Sequence, residues 1–163
     1  MKNNATFLIC ILLFVGCASS TKKVDDSKLM AESNELRQEF YNSSTIYEGI
    51  QTLQTEAQLF EKSPVQSLEY KYFNLFMIYS ELSYLYGKQE KLKEKKIFFE
   101  LSKGECIKRG LNAGLDSLSA AEIAGELVND DLFSVFEERY KAKGVVWLNK
   151  KQQQEHSLRK GVR

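Results

Sequence analysis

The chain has 163 residues, with 23 lysines and arginines against 22 acids, one histidine and a formal net charge of +1. That balance excludes the basic excess on which nucleic-acid binders rely, so no nucleic-acid partner is expected. Hydrophobic residues at 43%, aromatics at 12% and a single proline exclude a disordered chain and point to closely packed helices.

The chain opens with Met1-Lys2-Asn3-Asn4, a short basic start. Phe7 to Val15 follows, an apolar run too short to cross a bilayer as a stable helix, and the two together read as a secretory signal peptide. Its end, Phe14-Val15-Gly16-Cys17, resembles the lipobox of bacterial lipoproteins, with Phe14 standing where leucine is usual. The resemblance implies cleavage before Cys17 and a diacylglycerol on its sulfur, which makes the membrane a partner through lipidated Cys17. The alternative is an ordinary signal peptide in which Cys17 is incidental. Two or three acyl chains, at about 0.8 kcal/mol per buried methylene, anchor far more firmly than one. Ala18 and Ser19 carry no aspartate-type retention signal for the inner membrane. By that analogy the expected location is the periplasm-facing side of the outer membrane, ahead of the inner.

Removing residues 1–16 leaves 147 residues, enough for one domain with a real core, and balances 22 basic against 22 acidic side chains. Cys10 leaves with the signal and Cys17 is lipidated, so Cys106 is the only thiol left and no internal disulfide is expected. The expected division is a signal peptide at 1–16, a lipidated flexible tether at 17–25, a helical domain at 26–148 and a polar basic tail at 149–163.

Within the domain, Leu29, Ser33, Leu36 and Phe40 mark one face of a first helix, with Glu32, Glu35, Arg37 and Glu39 mostly off it. Asn42-Ser43-Ser44 ends it. Thr45 and Glu48 form a capping box for a second helix facing inward through Ile46, Ile50, Leu53, Ala57 and Phe60. The third stretch, Ser63 to Gly87, organises the rest. Leu68, Tyr72, Leu75, Tyr79, Leu82 and Tyr86 stack on one helical face, and Phe73, Phe76, Met77 and Ile78 widen it until little of its middle can be exposed. Ser63, Pro64 and Gln66 predict its start and Gly87 its stop. Glu69, Lys71 and Glu81 each cost roughly 2.5–3.5 kcal/mol near a bilayer centre, which makes this a core helix and not a membrane span.

A fourth helix is expected from about Glu90 to Arg109, turning Phe98, Phe99, Leu101, Ser102 and Cys106 inward. Ser117 to Val128 reads as a fifth, with a Ser119–Glu122 capping box. Asp130 or Asp131 caps a sixth that carries Leu132, Val135, Phe136 and Tyr140 and breaks at Gly144. The fold class is therefore all-α: antiparallel helical hairpins packed in a degenerate tetratricopeptide-like repeat bundle or solenoid of about six to seven helices. The end of the second helix, Ala57-x-x-Phe60-Glu61-Lys62-Ser63-Pro64, looks like a degenerate tetratricopeptide unit, although no strict repeat of about 34 residues is present.

Residues for catalysis are scarce. His156 stands in the polar tail beside Glu155, away from any ligand set, and no phosphate loop or nucleophile motif is present. No enzyme activity, no metal and no cofactor are expected. Cys106 reads as a small core residue before it reads as a reactive thiol. The lysines from Lys88 to Lys96 can meet anionic headgroups or an acidic partner, but interleaved Glu90 and Glu94 favour a solvated face. Five of the eight tyrosines fall on the third helix, and Tyr72, Phe76, Tyr79 and Tyr86 are the candidate lining of an apolar groove with a few polar handles. Core packing is the competing account of the same residues.

A lipobox followed by such helices resembles the T-component lipoproteins of TRAP transporters, the tripartite ATP-independent periplasmic systems. The likeness is carried by Tyr84-Leu85-Tyr86-Gly87, by Phe98 to Leu111 with its aromatic-Glu-x-x-x-Gly stretch, and by Lys143-Gly144-Val145-Val146-Trp147-Leu148. Members of that family are longer, and the likeness covers the N-terminal half of their length. After Trp147 this chain turns polar where theirs continues with small and aromatic residues, as a short or truncated member would. The resemblance implies a membrane-anchored helical scaffold, the accessory component of a solute uptake system, that holds a periplasmic solute-binding protein or an apolar ligand. The alternative is a cell-envelope or outer-membrane assembly adaptor that binds protein segments in a helical groove.

Overall fold

A computed structural model describes residues 26–65 and 67–148, without the side chains of Asp130 and Asp131. The expected signal peptide, Cys17, the expected tether, Gln66 and residues 149–163 with His156 lie outside the described residues. Six helices run in chain order: α1 (Asp26–Asn42), α2 (Ile46–Lys62), α3 (Leu68–Lys88), α4 (Leu92–Asn112), α5 (Ser117–Leu127) and α6 (Asp130–Ala142). A further helical turn occupies 146–148. Among the described residues there is no strand, and the fold is all-α. Each helix from α1 to α4 packs on the next, and α6 returns to pack on α3.

Caps explain most of the helix boundaries. The Thr45 hydroxyl accepts from the Glu48 N–H at 3.1 Å, while the Glu48 carboxylate reaches back to the Ser44 N–H at 2.7 Å, closing the box that starts α2. Ser63 is not the start of α3. It ends α2 in an extended conformation with its N–H on the Leu59 carbonyl, and Ser67 caps α3 by accepting from the Tyr70 N–H at 3.2 Å. The cap therefore sits directly before the apolar run.

Nor does Gly87 stop that helix. It stays helical, and the turn to α4 is made by Glu90 at φ 59. The Lys91 N–H bonds the Tyr86 carbonyl and the Glu90 N–H bonds the Gly87 carbonyl, both at 3.0 Å, which is a Schellman motif built without glycine. Further along, Asp116 caps α5 and takes the Ser119 hydroxyl as well, displacing the Ser119–Glu122 box. At the start of α6 the Leu132 N–H donates to the Asn129 side chain at 3.2 Å, so the cap described there is Asn129 and not Asp130 or Asp131.

The core forms around α3, as its amphipathic excess predicts. Leu75, Phe76 and every residue from Ile78 to Leu85 are buried. Leu53 and Phe60 from α2, Phe40 from α1 and Phe136 and Tyr140 from α6 close around that rod, each at 0% exposure. Small residues let helices approach. The Ser80 and Ser102 hydroxyls meet at 2.6 Å between α3 and α4, and Ser102 also donates to the Phe76 carbonyl.

That close contact sets the rotation of α4. Ser102, Glu105 and Cys106 turn inward, Phe98 and Phe99 are half-buried, and Leu101 points out at 42% exposure, against the expectation. Val135 is likewise outward at 48%, because α6 presents Phe136 and Tyr140 to the core and Val135 sits about 100° around from Phe136.

Candidate functional site

The four groove candidates do not share one surface. Tyr79 and Tyr86 both face Phe98, with ring centroids 6.0 and 5.3 Å away, and the Tyr86 pair is stacked. The Tyr79 hydroxyl donates to Glu61, and Gln54 donates to the Tyr86 hydroxyl at 3.2 Å. Phe76 lies elsewhere, in a small cluster with Cys106, Ala124 and Val128 under α5. Tyr72 is half-buried. Burial, and then Glu61 beside it, pushes the Tyr79 phenol up, so it stays a neutral donor at physiological pH.

The most concentrated chemistry lies outside these candidates. Arg37, expected off the packed face of α1, turns inward and is 19% exposed. Its Nη1 donates to Glu81 on α3, and its Nε lies 2.9 and 2.8 Å from the two carboxylate oxygens of Glu56 on α2. Ser33 donates to the same Glu56 at 2.7 Å, and Arg139 on α6 reaches Glu81 at 3.3 Å. Four helices thus meet at a buried, charge-balanced chain of two arginines and two glutamates.

Burial opposes the Arg37 charge, but Glu81 and Glu56 outweigh it and raise its pKa further. Burial raises the Glu56 pKa against the pull of Arg37 and Ser33. The Tyr140 hydroxyl is fully buried and raised, first by burial and then by Glu81, and it has no hydrogen-bond partner among the described residues. Such a network fixes how the hairpins dock, because an unpaired buried charge is costly. The sequence does hold a signal: Glu81 and Glu56 interrupt apolar helical faces, and each needs a buried cation.

Two surface features complete the picture. Along the outside of α4 runs a groove of about 550 Å³ lined by Lys93, Ile97, Leu101, Gly104 and Lys108 with their neighbours. These positions recur every three or four residues, so they form one helical stripe. Several exposed apolar side chains also stand toward the end of the bundle where α1 and α3 begin. Met30, Leu68, Phe73, Leu111 and Leu118 are exposed by 41–70%. Arg109 ties α4 to α3 there by lying 5.1 Å over the Phe73 ring and pairing with Glu69.

Among the described residues no group of side chains is placed to hold a metal ion, and no helix is long and apolar enough to cross a membrane. Cys106 is buried, and burial pushes its thiol pKa up, which is a packing environment and not a nucleophile's. Comparison with protein-family models, with curated proteins and with solved structures finds no match.

Proposed function

We propose that this chain is a non-enzymatic, membrane-anchored scaffold facing the periplasm, held by a lipid on Cys17 and binding a protein partner on its helical flank. One observation carries the reading. The end that exposes Met30, Leu68, Phe73, Leu111 and Leu118 is the end where α1 begins, and residues 17–25 lead directly into it. An anchor there draws these apolar side chains toward the bilayer, where burying them is favourable. The rest of the rod then extends away from the lipid; α3, at 21 residues, measures about 31 Å.

As an accessory component of a TRAP-type uptake system, the scaffold would hold a solute-binding protein, with or without an apolar ligand. As an envelope adaptor it would hold segments of assembly factors. Mass spectrometry of the chain from its native host tests the anchor directly, with a diacylglyceryl group expected on Cys17. Nitroxide labels at Leu118→Cys and at Leu92→Cys test the orientation in vesicles, with lipid-phase relaxation agents expected to reach only the first. An unmodified Cys17, or equal access at both positions, sinks the proposal.

A further inference from the structure

The outer stripe of α4 is an open flank of one helix on which one more helix can pack. Lys93, Ile97, Leu101, Gly104 and Lys108 follow each other at intervals of four, four, three and four residues, the seam of a helix-packing stripe. Ile97 and Leu101 are exposed by 49% and 42% at its floor. A Cβ built on Gly104 would have no atom within 4 Å, so a partner backbone can come close at that notch.

Charge along the stripe is uneven. Lys93 and Lys96 at the upper end have no ion-pair partner among the described residues, and Lys91 beside them lies 5.8 Å over the Tyr86 ring. At the lower end Lys108 is already held by Glu105 at 2.5 Å, while Glu100 adds a negative charge midway, one turn from Lys96. The α4 N-terminus adds a positive dipole end to the lysines.

From this we infer that the outer face of α4 binds an amphipathic helix of a partner protein, antiparallel to α4, with acidic residues flanking its apolar stripe toward its C-terminal end. The antiparallel direction places the negative dipole end of the partner helix, together with its acids, against Lys93 and Lys96. Ile97 and Leu101 pack into its apolar stripe while Gly104 admits its backbone. This deepens the scaffold reading, on which it rests, by naming the surface and the kind of segment that a protein partner must offer.

The test uses the full chain with Leu101→Cys and two synthetic helical peptides of identical apolar heptad pattern. One carries glutamates in its C-terminal half and the other carries lysines there. The glutamate peptide is expected to protect the introduced thiol from alkylation, and the lysine peptide is not. Reversing Lys93→Glu and Lys96→Glu together should weaken the glutamate peptide by on the order of fivefold and favour the lysine peptide. Gly104→Trp, which fills the notch without touching charge, should abolish protection by the glutamate peptide. Circular dichroism shows whether each variant is folded.

Equal protection by both peptides, or by neither, overturns the inference. So does protection that is present without peptide and released when residues 149–163 are removed, which would assign the groove to the chain's own C-terminal segment. All of these readings are independent of whether Cys17 is lipidated, so failure here and failure of the anchor are distinguishable.

Discussion

Arg37 on α1 and Glu81 on α3, separated by 44 residues in the chain, meet as a charge-assisted hydrogen-bonded pair in the interior of the bundle. Glu81 is 0% exposed and has Arg139 on its other oxygen, so removing Arg37 leaves Glu81 with one cation and strands Glu56 with none. Arg37→Met is expected to cost about 3–5 kcal/mol by urea denaturation, in the range for a broken buried pair. Adding Glu56→Gln to Arg37→Met should cost less than the two separate losses combined, because the second change removes the charge that the first leaves unpaired. Strict additivity would mean that the two groups do not interact.

The turn between α3 and α4 offers a gain. Glu90 sits at φ 59, a left-handed conformation disfavoured for residues with a Cβ. Glu90→Gly should raise stability by about 0.5–1 kcal/mol after the added freedom of the unfolded chain is subtracted. Thermal unfolding followed by circular dichroism reads it, and a fall in midpoint would contradict the geometry.

Acid should weaken the bundle at a known place. Hydrogen bonds from Lys88 and Lys141 hold the Glu137 carboxyl down to about 2, below its ordinary 4.5. A carboxylate depressed in the folded state contributes stability above its unfolded value, and that contribution fades as pH falls through 4.5 toward 2. Glu56, raised by burial, acts in the opposite sense: its contribution is present below the unfolded value and fades as pH rises through its folded one. Glu137→Gln should therefore flatten the acid side of the stability profile, and a profile that keeps its slope would locate the acid sensitivity elsewhere.

Trp147, the only tryptophan, donates its indole N–H to the Ser43 hydroxyl at 3.0 Å and lies at 7% exposure. Its emission should be blue-shifted in the folded chain. Ser43→Ala leaves that N–H without its acceptor and should cost about 1–3 kcal/mol, lowering the midpoint of the fluorescence transition. An unchanged midpoint would mean that water replaces the hydroxyl at no cost.

What can be read from the chain differs by scale. The helices are legible because Leu75, Tyr79 and Leu82 recur at helical spacing and Thr45 and Glu48 form a cap within four residues, both local signals. Which way a helix turns is not local. Leu101 is apolar and so belongs inside on composition alone, but the Ser80–Ser102 contact rotates α4 and leaves it out. Arg37 is charged and so belongs outside, but carboxylates on two other helices draw it in. The groove on α4 is hidden for the same reason: an outward leucine and a notch at Gly104 acquire meaning only once the inner face of that helix is fixed.

Phe40, near the end of the first hairpin helix, is covered by Tyr140 at 5.1 Å and Trp147 at 6.2 Å, rings supplied from the far end of the described chain. During synthesis, an emerging N-terminal portion lacks the Tyr140 and Trp147 rings that cover this side chain. It must wait for the last helical turn to arrive, and until then it presents a greasy spot of the kind that holdase chaperones recognise. Completion of the domain is thereby tied to delivery of Trp147, so a chain cut before that residue should be recovered bound to chaperones or degraded, not as a shorter stable bundle.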